Sequence, residues 1–147
     1  MENSPQSSDF PIQSSDKVRY ADTDRQGHVN NAVFATFLET GRTEILYNPA
    51  APLAAPGGEF VIAQLVLNFR SEIYWPGTVL VGTRVSTIGK SSVKLEQAIF
   101  QEDRCAALAE TVIVHIDTST RRSKPFAPAA VERLNALTGS ELLSPVG

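Results

Sequence analysis

Apolar and polar positions fall into blocks of two periods. At the start of the segment 18–31, VRYADTDRQGHVNN, Val18 and Tyr20 alternate with polar neighbours, which is the period of a strand. From residue 31 to 47 the apolar side chains Val33, Phe34, Phe37, Leu38, Ile45 and Leu46 recur at helical spacing, with Glu39, Arg42, Thr43 and Glu44 between them. Asn30 or Asn31 suits the N-cap, and Asn48-Pro49 stops the helix. At ~1.5 Å per residue it spans roughly 25 Å. Gly41 inside it costs about 1 kcal/mol against alanine. The expected reason is that a sheet approaches the helix closely there.

A loop, PAAPLAAPGG, occupies residues 49–58. Four strand patterns follow. Residues 60–72 place Val61, Ala63, Leu65, Leu67 and Phe69 on one face. After the turn Trp75-Pro76-Gly77, residues 78–88 place Val79, Val81 and Val85 on one side. Gly89-Lys90 reverses the chain, and residues 92–102 turn Val93, Leu95 and Ile99 inward. Residues 106–117 are almost wholly apolar, with Val112, Val114 and Ile116 alternating against Thr111, Ile113 and His115, as in a strand buried on both faces. A short helix is expected from Pro128 to Leu137, with Gly139 past its end. The expected order is strand, long helix, four strands in meander, short helix. One flat sheet cannot cover one long helix, whereas a curved antiparallel sheet wrapped around it can, so the fold class is α+β.

Composition narrows the picture. The 147 residues suffice for one domain with its own core. We expect a disordered tail over residues 1–14, a folded domain over 15–140 and a second tail over 141–147. Residues 1–14 are polar, with no basic start and no apolar run, so they do not read as a secretory leader. No stretch approaches the ~20 apolar residues of a membrane helix. A net charge of −3 gives no pull toward nucleic acid. The one basic cluster is Arg121, Arg122 and Lys124, read as a solvated turn. Cys105 is the single cysteine, which rules out an intramolecular disulfide and fits a reducing cytoplasm, the expected location.

Candidate chemistry gathers after the first strand. Asp22, Asp24, His28, Asn30 and Asn31 surround a turn at Gly27 and run into a helix start, where unpaired N–H groups favour negative charge. A carboxylate there can attack a carbonyl, or take a proton from a water that does. Asp24 reads equally as a turn cap, and Asp22 reads better as a turn former than as a like charge acting on Asp24. There is no P-loop, no G-x-G-x-x-G, no G-x-S-x-G and no Cys/His metal spacing.

The element DTDxxGHVNN, followed by FxxFLExGR on the helix, resembles the hotdog-fold acyl-thioester hydrolases of the 4-hydroxybenzoyl-CoA thioesterase class. It is also similar to the D-L-D-x-x-x-H-V-N-N segment of plant acyl-carrier-protein thioesterases. GKSSVKLEQAIF and AETVIVHID are similar to the family's closing strands, so the likeness spans roughly residues 15–135. It implies the hotdog fold, with the curved sheet around the central helix. It implies an acyl-CoA thioesterase in which Asp24 is the catalytic carboxylate. His28 orients a water or donates to the thioester oxygen, unless it is a hydrogen-bonded turn histidine. Asn30 caps the helix, and the backbone N–H groups around Asn30 and Asn31 form the oxyanion hole. Such donors are commonly worth ~3–4 kcal/mol each. The leaving thiol, with a reference pKa of about 8.5 for cysteine, needs no strong general acid. Glu39 is the reserve catalytic carboxylate, although pairing with Arg42 at i,i+3 is its default. Phe34, Phe37, Ser91 and Ser92 are the substrate-binding candidates. No metal and no cofactor is expected, coenzyme A being part of the substrate. The expected partners are the acyl-CoA and further copies of the chain, as a homodimer or homotetramer. The alternatives are an acyl-carrier-protein thioesterase and a non-catalytic acyl-thioester binding protein.

Overall fold

The computed structural model describes residues 4–138. The strands are β1 (Ile12–Val18), β2 (Gly58–Phe69), β3 (Gly77–Ile88), β4 (Ser92–Gln101) and β5 (Arg104–Asp117); the helices are α1 (Asn31–Leu46) and α2 (Pro128–Asn135). The strands form one sheet in the order β1-β3-β4-β5-β2, every neighbouring pair antiparallel. With α1 along its inner face, this is the α+β hotdog arrangement.

The helix forms where its period places it. Asn30 is the N-cap, and its side chain accepts from the Ala32 N–H at 2.9 Å. Phe34, Phe37 and Leu38 pack against Val79, Val81, Ile99 and Ala107, while Ile45 and Leu46 share a second cluster with Val85, Leu95, Ile113, Phe126 and Leu134. Gly41 lies where the sheet comes nearest. A Cβ there would sit 2.8 Å from Val81 Cγ1 and 2.9 Å from Gln97 Nε2. Gln97 in turn donates to Leu38 O at 3.0 Å, so the close approach carries a buried hydrogen bond as well as apolar contact.

Four expectations need correction. The first strand lies upstream of Val18–Tyr20 and ends at Val18, while Tyr20 opens a short 3-10 turn and is exposed. The strand IQSSDKV lacks apolar alternation because it meets α1 through polar groups: Ser14 Oγ donates to Glu44 Oε1 at 2.5 Å, and Thr40 Oγ1 donates to Asp16 Oδ2 at 3.1 Å. Residues 1–14 are not a disordered tail throughout. Ser7–Asp9 form a 3-10 turn, and buried Phe10 packs on the sheet's outer face, edge-on to Phe100 at 6.1 Å. The four later strands are not a simple meander. β2 crosses to pair with β5, and only β3, β4 and β5 follow one another. Finally, α2 ends at Asn135. The expected cap at Gly139 and the tail at 141–147 lie outside the described residues.

β5 is buried unevenly. Thr111, Ile113 and His115 are closed off under the helix, whereas Val112 and Val114 on the opposite face are half-buried. His115 is structural. Nε2 accepts from the Ala55 N–H at 3.2 Å and Nδ1 lies 2.8 Å from Lys124 O, so the ring ties the 49–58 loop to the segment before α2.

Candidate active site

The loop between β1 and α1 is held by its own polar groups. Asp22 is buried. Its Oδ2 accepts from the Arg19 N–H at 2.8 Å and its Oδ1 from Arg19 Nη2 at 3.0 Å. That hydrogen bond holds the Arg19 guanidinium above its usual pKa. Asp22 O also accepts from the Asn30 N–H at 2.8 Å. Asp22 is thus the anchor of the turn, as its structural reading anticipates.

Asp24 is exposed at the tip. Its N–H donates to His28 O at 2.8 Å, and Oδ1 accepts from the Gln26 N–H at 2.9 Å and the His28 N–H at 3.3 Å. Gly27 closes the turn at φ +85, a conformation that favours glycine. Thr23 and Val29 then pair across the loop. Asp24 Oδ2 has no hydrogen-bond partner among the described residues. One oxygen shapes the loop and the other is left without a hydrogen bond.

The helix start offers one open donor. The Asn30 N–H is spent on Asp22 O and the Ala32 N–H on the Asn30 side chain. The Asn31 N–H, first in α1, has no partner among the described residues. Of the N–H groups around Asn30 and Asn31 expected as oxyanion donors, only that of Asn31 is therefore open, with Asn30 serving as the helix cap.

His28 meets a group that sequence reasoning missed. Its Nδ1 lies 2.5 Å from Glu72 Oε1, and its ring packs edge-on to Tyr74 at 5.3 Å. The backbones also pair: His28 bridges Tyr74, and the Val29 N–H donates to Ile73 O at 2.8 Å. The segment 71–74 is itself clamped. Arg104 Nη1 donates to Ser71 Oγ and Glu72 O, both at 2.7 Å, and the Gln101 side chain exchanges two hydrogen bonds with the Tyr74 backbone, at 3.0 and 2.9 Å.

Between the two segments lies a cleft of about 240 Å³, lined by Val29, Asn31, Phe34, Phe69, Arg70, Ser71 and Glu72. Phe34 and Phe69, edge to face at 5.0 Å, give it an apolar side. A roomier cleft of about 540 Å³, lined by Glu44, Tyr47, Arg133 and Leu137 among others, contains none of the candidate residues. Of the predicted site residues, Asn31 and Phe34 line the smaller cleft, with Glu72 beside them; Asp24 and His28 do not line it and stand on the adjoining loop.

The remaining candidates lie elsewhere. Phe37 is sealed in the core. Ser91 and Ser92 stand at the opposite end of β4 from Gln101, about 30 Å along the strand at ~3.3 Å per residue. Glu39 is exposed on α1, in a separate cleft with Arg42, Tyr47, Phe60 and Ile62. Arg42 turns inward, with Nη1 3.5 Å from Gln97 Oε1, and burial pushes its guanidinium below the usual range. Arg121 of the basic cluster is paired with Glu59 at 2.6 Å. Among the described residues no group of three or more His, Cys, Asp or Glu side chains is placed to hold a metal ion, and no helix is long and apolar enough to cross a membrane.

Comparison with known proteins gives this geometry a context. A family model described as the thioesterase-like superfamily matches residues 18–134. The acyl-acyl carrier protein thioesterase ATL2 of Arabidopsis thaliana, a chloroplastic protein, is 32% identical over 88 residues, 58% of this chain and 47% of that protein. The chain thus spans about half the length of that relative. Among solved structures, a Thermus thermophilus thioesterase complexed with coenzyme A and Zn is 29% identical at a TM-score of 0.74, covering 85% of this chain and 98% of that one. The PA5185 protein of Pseudomonas aeruginosa is 23% identical at a TM-score of 0.83, covering 92% and 97%, and shares the fold.

Proposed function

The chain belongs to the thioesterase-like superfamily, and from that premise we propose that it hydrolyses an acyl-CoA thioester to the free acid and coenzyme A. The observation that carries the reading is the loop 22–31, a locally folded element in which exposed Asp24 keeps one carboxylate oxygen free of hydrogen bonds and the Asn31 N–H, at the cleft, has no partner among the described residues. The Asn31 N–H donates to the thioester oxygen as it becomes an oxyanion. Asp24 either takes a proton from the attacking water or attacks the carbonyl carbon itself. In the first route the proton passes to the departing sulfur as the C–S bond breaks. In the second the C–S bond breaks as Asp24 displaces the coenzyme A thiolate, and water opens the acyl-Asp24 anhydride at the Asp24 carbonyl, giving up the proton that the thiolate takes. After a single turnover in ¹⁸O-water, ¹⁸O in Asp24 identifies the second route with water attacking the Asp24 carbonyl, since the first route places the label only in the released acid. The Phe34–Phe69 side of the cleft accommodates the acyl group. The reaction needs neither metal nor added cofactor.

A CoA thioester is favoured because a 29% identical thioesterase binds coenzyme A. The likeness to an acyl-acyl carrier protein thioesterase supports a second reading, in which the same acyl group arrives on a carrier protein. A screen over short, long and aromatic acyl groups, each presented on coenzyme A and on acyl carrier protein, tests both. Turnover of the CoA series is the expected result. Turnover of the carrier series alone selects the second reading, and binding without turnover makes the protein an acyl-thioester binder.

A further inference from the structure

We propose that Glu72 is a positioning residue that holds His28 with its proton on Nδ1 and leaves Nε2 as the ring's free acceptor. The inference rests, for its catalytic consequence only, on the thioester-hydrolase reading. Glu72 Oε1 and His28 Nδ1 stand 2.5 Å apart, the distance of a charge-assisted hydrogen bond. A carboxylate can only accept here, so the hydrogen between the two atoms sits on the imidazole nitrogen. His28 Nε2 has no hydrogen-bond partner among the described residues. In the neutral ring that atom is an unprotonated acceptor.

The arrangement is built, not incidental. Tyr74 packs edge-on against the ring at 5.3 Å and limits its rotation. His28 and Tyr74 pair through their backbones, so ring and carboxylate ride on adjoining strands of chain. Arg104 fixes the Glu72 carbonyl at 2.7 Å, and Gln101 fixes both backbone groups of Tyr74. A carboxylate carried on a backbone held this firmly sets the tautomer of its histidine, just as an orienting third group does wherever a histidine serves as base. For the neutral ring the consequence separates two roles for His28. With Nδ1 occupied, a neutral ring cannot donate from Nε2 to the thioester oxygen. It can accept a hydrogen bond from the attacking water and aim its lone pair, while the water's other proton goes to Asp24. Glu72 therefore acts on the reaction through His28 and touches no reacting atom.

The chain holds two histidines, His28 and His115, so ¹⁵N-histidine labelling of the full-length protein gives two ring systems, assigned with a His28→Gln variant. Ring ¹⁵N shifts across a pH series read the tautomer of the neutral form directly. The wild type is expected to show His28 protonated at Nδ1. Glu72 is 51% exposed, so its replacement leaves no buried hole. Glu72→Leu should release the tautomer preference and lower kcat at least ~10-fold, with KM kept within about twofold. Glu72→Gln retains an acceptor oxygen and should retain the tautomer and more of the turnover. A wild-type His28 protonated at Nε2, or a leucine variant with unchanged tautomer and turnover, overturns the proposal. If the wild type cleaves no thioester, the hydrolase reading fails while the tautomer measurement still decides the role of Glu72.

Discussion

At Asp24 one carboxylate meets two demands. Oδ1 accepts the Gln26 and His28 N–H groups that shape the loop, and Oδ2 carries the proposed chemistry. Asparagine can keep the first duty because its amide oxygen accepts in the same place, but it can neither take a proton nor attack. Asp24→Asn should therefore lower kcat at least ~100-fold with KM and loop structure largely kept, as read by steady-state kinetics beside a circular dichroism spectrum. A variant with most of its turnover would move the carboxylate's role to Glu39. The same residues bear on metal dependence. His28 and Glu72 are a pair without a third ligand among the described residues. Turnover should accordingly survive exhaustive EDTA, and a loss restored by zinc alone would overturn the metal-free route. The DTD…GHVNN element was legible in the sequence because its hydrogen bonds close within ten residues. Glu72 was not, since its tie to His28 spans the whole helix and β2 and exists only once the 71–74 segment has docked.

For the secondary elements, α1 shows what a period can and cannot say. Its apolar stripe announced the helix, and Gly41 announced a close neighbour. The neighbour's identity, Val81 and Gln97, came only from the sheet. β1 gave no apolar signal because it binds the helix through Ser14 and Asp16, and polar contacts have no period to read. The place of β2 at the far edge was equally hidden, since strand order depends on pairing across the chain rather than on any local pattern. Gly41 supports a quantitative test. Alanine would gain about 1 kcal/mol of helix propensity. Its Cβ would also press on Val81 Cγ1 at 2.8 Å, and overpacking typically costs ~1–3 kcal/mol. The clash involves three neighbours, so it should win. Gly41→Ala is expected to lower the urea midpoint, and Gly41→Val to lower it further. A more stable alanine variant would mean that the helix and sheet are not seated this closely. His115→Leu should also destabilise, by about 1–3 kcal/mol for the stranded Ala55 N–H and Lys124 carbonyl.

Among the described residues the sheet ends in two edge strands, β1 and β2, and β2 is the apolar one. β2 pairs with β5 on one side only, and Ile62, Val66 and Phe69 on it are 48%, 41% and 50% exposed. A twelve-residue edge strand carrying that much apolar surface invites another strand, and closed two-fold pairing is the commonest way to satisfy it. Antiparallel pairing of β2 with its own copy would set the Gly58 end of one strand beside the Phe69 end of the other. The end of the sheet that carries Ser91 and Ser92 would then approach the neighbouring copy's 22–31 loop. That juxtaposition gives those serines, stranded within a single chain, a route to the substrate. It would also make each site shared, with Asp24 of one copy facing residues near 60–70 of the next. The expected result is a dimer or dimer of dimers by light scattering at micromolar concentration. Ile62→Lys, which places a charge on that edge, should lower the assembled mass, and turnover should fall with the fraction dissociated. A wild-type monomer that cleaves its thioester at full rate would overturn the shared site while leaving the fold and the Asp24 loop as they stand.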